Sequence, residues 1–256
     1  MAVITWDVDQ GSVDWYRLRS GIPTASEFDQ VITPAKGLIS ERRHKYACRI
    51  IAGRLLNWQA DSLDKIAHIA DGKRNEPIAV ARLELIHDIA TKPIGFVRTN
   101  DLRFGASPDR VVMSQDKIGI TIEVKAPTIP TQLYYLLFGH EDNYKCQVNG
   151  QLWVAEADKA IFMAYNERTP DYRVETGRDE PFIKKMVAGL EQFSDELDAL
   201  MERAISLGTY QAFRELQTPL DAERGDGIRR EPLASAEELA ALIEGTDGRR
   251  YTNMGG

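Results

Sequence analysis

The chain has 256 residues, 43% of them hydrophobic and 28% charged, and it can bury the core of one large domain or two small ones. Its formal net charge of −7 argues against a surface coated with positive charge for nucleic acid, although a local basic groove stays compatible with it. Two cysteines, Cys48 and Cys146, are too few for a disulfide framework or a thiolate metal cluster, which fits a reducing cytoplasm. The N-terminus does not have the pattern of a signal peptide, and no apolar run approaches the length of a membrane span.

The first candidate site lies between Arg19 and Glu27. Thr24 and Glu27 have the spacing of a capping box, which predicts a helix from Thr24 to about Ile32. The free N–H groups at such a helix start attract anions, and Arg19 and Ser26 lie close by in the sequence. The stretch therefore predicts a phosphate site, with a simple helix cap and a surface arginine as the alternative.

The next segments are a loop and a basic helix. Residues 1–14 are predicted to be a short lead-in, residues 33–39 a loop that carries Lys36, and residues 41–56 a helix. The basic side chains of this helix are Arg42, Arg43, Lys45, Arg49 and Arg54. Two interpretations stay open: the helix touches a phosphate backbone, or it presents a solvated charged face.

A further helix is predicted to begin at Asn75 and to end near Ile89. Asn75 would cap it, and Pro77 would be tolerated because it falls in the first turn. The predicted core-facing positions are Ile78, Leu83 and Ile86. Glu76 lies at the start of this helix, where an acid is electrostatically favoured in any protein. It gains interest only as a third carboxylate beside the two acids of the following hairpin.

The central hairpin carries the strongest chemical signal. The pattern predicts strands at residues 111–113 and 118–124, joined by a turn at 115–117. Because side chains alternate along a strand, Glu123 and Lys125 share one face while Val124 points into the core. If Glu123 returns close to Asp109, two carboxylates and an ammonium surround one small volume. That set suits a hard divalent cation with a lysine beside it to orient or deprotonate water. A turn aspartate and a solvated charge pair are the alternative interpretation.

The rest of the chain predicts alternating helices and strands. The predicted elements are an apolar segment at 134–138, a helix at 143–157, strands at 159–165 and 172–175, a helix at 182–207, a linker at 218–232, and a helix at 235–243. In the helix at 143–157, Tyr144, Gln147 and Gln151 share one face, which predicts contact with something polar.

Six motifs occur in a characteristic order. They are Trp-x-x-x-Arg at Trp15, Thr-Ala-Ser at Thr24, Gly-x-x-x-Glu at Gly72, Ser-Pro-Asp at Ser107, Glu-x-Lys-x-Pro at Glu123 and Tyr-x-x-Gln at Tyr144. Over about residues 15–165, this order resembles the phage lambda exonuclease family, also called YqaJ-type viral recombinases or alkaline exonucleases. That family belongs to the restriction-endonuclease-like PD-(D/E)xK superfamily.

The resemblance implies an α/β fold class. The core would be restriction-endonuclease-like, a central mixed β-sheet flanked by helices, followed by a C-terminal helical extension. Residues 1–217 would form the nuclease domain, and residues 218–256 a linker plus a C-terminal helix that packs or docks.

The resemblance also implies a role for each site residue. The implied metal ligands are Asp109, Glu123, the Val124 carbonyl and Glu76. Lys125 would orient the attacking water, and Gln147 would order the site from the helix side. The terminal 5′-phosphate would be held by Arg19, Ser26 and Ser107. Lys36 would reach toward the duplex, and Ile69 would act as a wedge. Thr131 stands where the phage lambda enzyme has a pocket arginine, so the pocket either recruits another cation or binds less tightly.

The implied activity is that of a Mg²⁺-dependent 5′→3′ exonuclease. It would degrade one strand of linear double-stranded DNA from a 5′-phosphorylated end and leave 3′ overhangs for recombination by single-strand annealing. One or two Mg²⁺ ions would bind, with Mn²⁺ also supporting activity. A homotrimeric ring, a single-strand annealing partner and the cytoplasm of a bacterial host complete the expectation. A site-specific endonuclease of the same superfamily and a non-catalytic DNA-binding module are the alternatives.

Overall fold

The protein is described by a computed structural model over residues 1–56, 67–140 and 143–209, with side chains described except at 67–74 and 143. The linker and helix predicted within residues 218–256 lie outside the described residues. Across the described ranges, no helix is both long and apolar enough to cross a membrane.

A four-stranded mixed sheet forms the centre of the fold. Its strands are β4 (Arg110–Ser114), β5 (Lys117–Lys125), β6 (Lys159–Ala164) and β7 (Tyr172–Gly177), in that spatial order. β4 and β7 run antiparallel to their neighbours, whereas β5 and β6 are parallel. The predicted central hairpin is thereby confirmed, and Gln115 closes its turn with a φ of +56°. The two later strands also lie where the sequence predicted them.

Seven helices and a smaller sheet surround this centre in the described part of the chain. The helices are α1 (Val13–Arg19), α2 (Phe28–Val31), α3 (Arg43–Leu56), α4 (Ala67–His87), α5 (Ile129–Phe138), α6 (Asn143–Val154) and α7 (Glu180–Ser206). The smaller sheet is antiparallel and consists of β1 (Val3–Thr5), β2 (Phe96–Arg98) and β3 (Gly105–Ala106).

The central sheet is covered on both faces. On one face, Ile122 and Val124 of β5 pack with Ala79, Val80 and Leu83 of α4. The opposite face of β5 presents Glu123 and Lys125 toward α6, as the alternation predicted. Burying one side chain the size of Leu83 stabilises the fold by about 1.5–3 kcal/mol. The mixed α/β architecture flanked by helices agrees with the fold class expected from the sequence.

Two predictions for the N-terminal region are wrong. Residues 1–14 contain strand β1 and the start of helix α1, so they are more than a lead-in. Thr24 makes no side-chain capping bond, and the predicted single helix is a 3₁₀ turn at Ala25–Glu27 followed by the short α2. The physical reason is that the Thr24 hydroxyl interacts with Arg19 and Ser26 instead of a backbone N–H.

The predicted start of α4 is also wrong. The helix begins at Ala67, so Asn75 does not cap it and Pro77 lies inside it. Proline lacks the N–H that would bond the carbonyl four residues earlier and usually breaks a helix, but Pro77 lies on the exposed side of α4 and is accommodated there. Leu83 is buried as predicted, whereas Ile78 and Ile86 are exposed.

The basic helix α3 is largely paired with acidic side chains. The ion pairs of the helix are Arg43–Glu196 at 2.7 Å, Arg49–Glu27 at 2.8 Å and Arg54–Asp198 at 3.4 Å, and Arg42, directly before the helix, pairs with Asp29 at 3.4 Å. Glu196 and Asp198 belong to α7, so the pairs of Arg43 and Arg54 join α3 to α7. The geometry favours the charged-face interpretation of α3 over contact with a phosphate backbone.

Candidate active site

The structure brings Asp109 to the end of strand β5. Asp109 precedes β4, and its Oδ2 accepts a hydrogen bond of 2.6 Å from the backbone N–H of Val124. A residue in a strand directs its N–H and C=O to the same edge, so the Val124 carbonyl also points to the Asp109 side. The antiparallel pairing of Arg110 with Ile122 sets this register. Asp109 and the backbone of Val124 thus meet at the open edge where β4 begins.

Glu123 is a buried carboxylate with three side-chain partners. Its Oε1 accepts hydrogen bonds from the Lys125 ammonium and, at 2.6 Å, from Gln147 Nε2. Its Oε2 accepts a 2.6 Å bond from Gln151 Nε2. A carboxylate that is only 3% exposed needs such partners, because burying an unpaired charge is costly. The shared polar face predicted for α6 is confirmed as contact with this carboxylate.

Electrostatic coupling links the acids and the lysine. Burial and the neighbouring Glu123 charge raise the pKa of Asp109 well above its usual range, and Glu76 adds to this, while Lys125 and the Val124 N–H act in the opposite direction. Burial alone would lower the pKa of Lys125, but the charges of Glu123 and Asp109 outweigh it and raise the pKa above its usual value. Lys125 therefore stays a protonated donor at neutral pH.

Glu76 lines a cavity of about 390 Å³ beside Asp109. The cavity lies between α4 and the N-terminal segment, with Trp6 and Val80 among its walls. Glu76 acts electrostatically on Asp109, but no three carboxylate, imidazole or thiol groups converge into a ready metal cage within the described ranges. The metal role expected for Glu76 stays a prediction.

A second cluster gathers hydroxyl groups around Arg19. Its guanidinium donates to Ser107 Oγ at 3.1 Å, Ser26 Oγ at 3.1 Å and Thr24 Oγ1 at 3.3 Å. Burial lowers the pKa of Arg19, and the charges of Tyr46, Glu27 and Glu123 partly offset that effect. In the described part of the chain, Arg19 forms no ion pair with a carboxylate, unlike Arg43, Arg49 and Arg54 of α3. We call Arg19, Thr24, Ser26 and Ser107 the hydroxyl pocket.

Two aromatic residues fix the hydroxyl pocket. The Trp15 ring lies 4.2 Å from the Arg19 guanidinium carbon, and its Nε1 donates to Ser107 Oγ at 3.1 Å. The buried Tyr46 hydroxyl accepts a 3.0 Å bond from the Thr24 N–H. Helix α3 passes the turn after α1 so closely that a Cβ on Gly53 would lie 2.8 Å from the Gly21 nitrogen. Only glycine allows this approach, which holds the Arg19 segment in place.

Three expected residues are not joined to these clusters by any described contact. Lys36 is exposed in its predicted loop. The Thr131 hydroxyl lies 3.1 Å from that of Thr128 in the first turn of α5. Ile69 falls in the first turn of α4, where side chains lie outside the described residues. The wedge and duplex-contact roles stay predictions.

Sequence reasoning missed several supporting residues. For Gln151 the sequence predicts only a shared helix face, although its spacing of four residues from Gln147 is the signal that identifies it as a second hydrogen-bond donor to the same carboxylate. Gln10 gave no signal, because its partners are backbone carbonyls far away in sequence. Its Nε2 donates to Ile94 at 2.9 Å and to Pro108 at 2.8 Å, directly before Asp109.

The donor set fits a divalent cation of the hard type. Asp109 and Glu123 offer carboxylate oxygens, the Val124 carbonyl is directed to the same edge, and no sulfur or imidazole competes within the set. The Lys125 ammonium already bonds the Glu123 carboxylate, which shows that this position attracts positive charge.

Comparison with solved structures identifies the class of protein that has this fold and site. The alkaline exonuclease LHK-Exo from Laribacter hongkongensis is 25% identical, with a TM-score of 0.68 over 77% of this chain and 98% of that chain. Its complex with dAMP gives a TM-score of 0.69 at the same identity and coverage. A phage related exonuclease from Haemophilus somnus 129PT shares the fold, with a TM-score of 0.54 and 17% identity over 70% of this chain and 96% of that chain. The class is that of nucleases similar to the alkaline exonucleases.

The family follows from the sequence match. Residues 14–158 match the YqaJ-like viral recombinase domain. This segment is more than half of the chain, and the protein belongs to the YqaJ-like viral recombinase family. The resemblance expected from the six motifs is confirmed. No curated protein sequence matches the chain.

Proposed function

We propose that this nuclease is a Mg²⁺-dependent exonuclease that degrades one strand of linear double-stranded DNA in the 5′→3′ direction from a 5′-phosphorylated end. The remaining 3′ overhang would serve recombination by single-strand annealing. The observation that carries the proposal is the hydroxyl pocket. Among the described residues, the Arg19 guanidinium is held by hydroxyl groups and an aromatic ring alone, which keeps its charge available for an anion, whereas an ion-paired arginine is already neutralised.

The acid cluster supplies the hydrolytic part of the proposal. Asp109, Glu123 and the Val124 carbonyl would hold the cation, with Glu76 supporting Asp109 from the rim of the adjoining cavity. A bound divalent cation supplies charge neutralisation at the phosphate and an activated water. Lys125 would orient the attacking water and stabilise the negative charge that builds on the phosphate. Gln147 would keep Glu123 in position.

The two clusters lie close enough to interact electrostatically, since the Glu123 charge acts on Arg19. A strand whose terminal phosphate rests in the hydroxyl pocket would then present a nearby phosphodiester to the acids. This relation supports an end-dependent exonuclease over an endonuclease, because the anchor needs a free phosphorylated end.

The decisive experiment compares three substrates of one sequence in the presence of Mg²⁺: linear duplex with 5′-phosphate, linear duplex with 5′-hydroxyl, and a closed circle. Release of mononucleotides from the phosphorylated linear duplex, with the circle intact, is the expected result. Strand-specific end labels then give the direction. Cleavage of the circle would replace the proposal with an endonuclease, and no hydrolysis with Mg²⁺ or Mn²⁺ would replace it with a binding module.

Replacing Arg19 by alanine should reduce the preference for phosphorylated over unphosphorylated ends by about 10- to 100-fold, because hydrogen bonds to a charged group contribute about 1.5–3 kcal/mol. The measurement is the ratio of initial digestion rates on the two linear duplexes. Arg17 is a matched control on the same helix, where it pairs with Asp14 at 3.0 Å and contacts no pocket hydroxyl. Arg17→Ala should keep the wild-type ratio, and an unchanged ratio in Arg19→Ala would remove Arg19 from the pocket.

We also propose that three copies form a ring around the DNA. Helix α5 supports an assembly because it exposes a continuous apolar face of Ile129, Leu133, Tyr134, Leu137 and Phe138. Leu137 and Phe138 are 71% and 74% exposed, and contiguous apolar surface of this kind commonly marks an interface.

Substituting Leu137 by glutamate should shift the mass in solution from trimer to monomer, because a charge would be buried in the proposed interface. Size-exclusion chromatography with light scattering measures the mass. Leu85 is a matched control, an 84% exposed leucine on α4, and Leu85→Glu should leave the mass unchanged. A trimer that survives Leu137→Glu would place the interface elsewhere.

The proposed partner is a single-strand annealing protein, and the proposed location is the cytoplasm of a bacterial host.

A further inference from the structure

Two amides of helix α6 hold the two oxygens of one carboxylate. Gln147 and Gln151 lie one turn apart on the same face, so both reach across to Glu123 on β5. Gln147 Nε2 bonds Oε1 and Gln151 Nε2 bonds Oε2, each at 2.6 Å. Oε1 has a further partner in Lys125. Among the described side chains, Gln151 is the sole partner of Oε2.

Gln151 holds this position at an energetic cost. It is 1% exposed, and its own Oε1 has no hydrogen-bond partner among the described residues. A buried unpaired acceptor costs about 1–3 kcal/mol. The amide cannot be turned to relieve this, because its oxygen would then face the carboxylate oxygen of Glu123. A side chain kept at such a cost is more than packing, since leucine would fill the same space without the penalty.

We propose that Gln151 is a positioning residue that fixes Oε2 of Glu123 and thereby sets the affinity of the acid cluster for its divalent cation. The inference rests on the proposed function in one respect, namely that this cluster binds such a cation. The motif Tyr-x-x-Gln includes Gln147 but not Gln151, so the second amide is a separate feature of this chain.

The physical consequence of losing Gln151 follows from the partners of Glu123. Without a donor on Oε2, the attraction of Lys125 and Gln147 on Oε1 acts alone, and the carboxylate rotates toward Lys125. A divalent cation would then have to compete with Lys125 for a Glu123 carboxylate that has rotated out of its position. Loss of a partner that orients a metal ligand typically weakens metal affinity about 10- to 100-fold.

The test is a calorimetric titration of the full chain with Mg²⁺ in the absence of DNA. Gln151→Leu should raise the Mg²⁺ dissociation constant by about 10- to 100-fold. Gln151→Asn should do the same, because its amide is one methylene too short to reach Oε2, and it provides a second, smaller variant if leucine disturbs folding. Far-UV circular dichroism and the melting temperature verify that each variant is folded.

Gln132 provides the matched control. It is likewise fully buried, its Nε2 donates to the carbonyls of Ala164 and Pro170 at 2.9 Å, and its Oε1 also has no partner in the described part of the chain. Gln132→Leu should lower the melting temperature without changing the Mg²⁺ dissociation constant. A general effect of removing a buried amide is thereby separated from an effect on Glu123.

Cleavage assays distinguish a role of Gln151 in cation binding from a purely structural role. With Gln151→Leu, the Mg²⁺ concentration for half-maximal cleavage should rise with the dissociation constant, the rate should recover at saturating Mg²⁺, and KM for DNA should stay unchanged. Equal Mg²⁺ affinity in wild type and Gln151→Leu would overturn the inference and leave the proposed function intact. Wild-type protein that binds neither Mg²⁺ nor Mn²⁺ would overturn both.

Discussion

Replacing Lys125 by alanine should lower the rate of DNA cleavage by about 10²- to 10⁴-fold, the range that general acid–base groups and preorganised charge donors contribute. The ammonium sits on the Glu123 carboxylate, and the acids around it keep it protonated. It would therefore act as a positive donor to the water and the phosphate rather than as a base. Steady-state cleavage of phosphorylated linear duplex at saturating Mg²⁺ measures the loss, and a binding assay should show that DNA is still bound.

Lys117 is the matched control for this variant. It begins the same strand, and its ammonium pairs with the Asp158 carboxylate at 3.2 Å on an exposed surface. Lys117→Ala removes the same charge from β5 without reaching the acid cluster, so we expect wild-type cleavage. A Lys125→Ala protein that cleaves at the wild-type rate would show that the acid cluster is not the catalytic site.

Replacing Asp109 by asparagine should reduce cleavage by about 10³-fold or more, because the charge neutralisation expected from a bound cation amounts to several kcal/mol. Asparagine keeps an oxygen that can accept from the Val124 N–H, so the local structure should persist. The neutral amide, however, is a poor ligand for a hard cation. Cleavage retained at wild-type levels would exclude Asp109 as a ligand.

The same variant should make the metal-free protein more stable. Burial and the Glu123 charge raise the pKa of Asp109 in the folded state above its value in the unfolded chain. At a pH above the pKa of Asp109 in the unfolded chain, the unfolded chain loses this proton more readily than the folded protein does, so ionisation of Asp109 destabilises the folded state. Below that pKa, Asp109 is protonated in both states and the destabilisation disappears. In urea unfolding with EDTA, the free energy of unfolding of Asp109→Asn should therefore exceed that of the wild type at neutral pH. This difference should shrink toward about pH 4. A difference in the free energy of unfolding that does not depend on pH would contradict this explanation.

The central hairpin could be predicted because its information is local. Alternating apolar residues identified the strands, and the same alternation placed Glu123 and Lys125 on one face with Val124 on the other. The spacing of Gln147 and Gln151 in α6 likewise predicted a polar contact, although not its partner. Local periodicity therefore located most of the acid cluster.

Elements without a simple pattern escaped prediction. Helix α1 has no buried residue, so it has no apolar periodicity to detect. Helix α5 exposes most of its apolar side chains and buries the polar Gln132, so its sequence has no ordinary amphipathic pattern and identified only an apolar segment there. For α4, the prediction put the helix start near Pro77 because proline usually occupies the first turn of a helix. Pro77 instead lies inside the helix, on its exposed side.

Contacts distant in sequence also could not be predicted from the residues alone. The Gln10 side chain reaches a carbonyl 98 positions away, and Trp15 reaches Ser107 across 92 positions. Nothing local in the sequence marks such partners. The resemblance to a known family supplied Ser107 as a pocket residue, but neither Gln10 nor Trp15 was assigned a role.

The hydroxyl pocket has a consequence for the direction in which DNA moves. In the proposed reaction, the oxygen of water joins phosphorus, the bond from phosphorus to O3′ of the departing nucleotide breaks, and that O3′ takes a proton. The phosphate stays on the shortened strand as its new 5′ end. Each cycle thus makes the very group that Arg19 and its hydroxyl partners would bind, and the strand has to advance by one nucleotide to deliver it. In this proposed reaction, movement would be one-way because hydrolysis would have removed the nucleotide that backward movement needs.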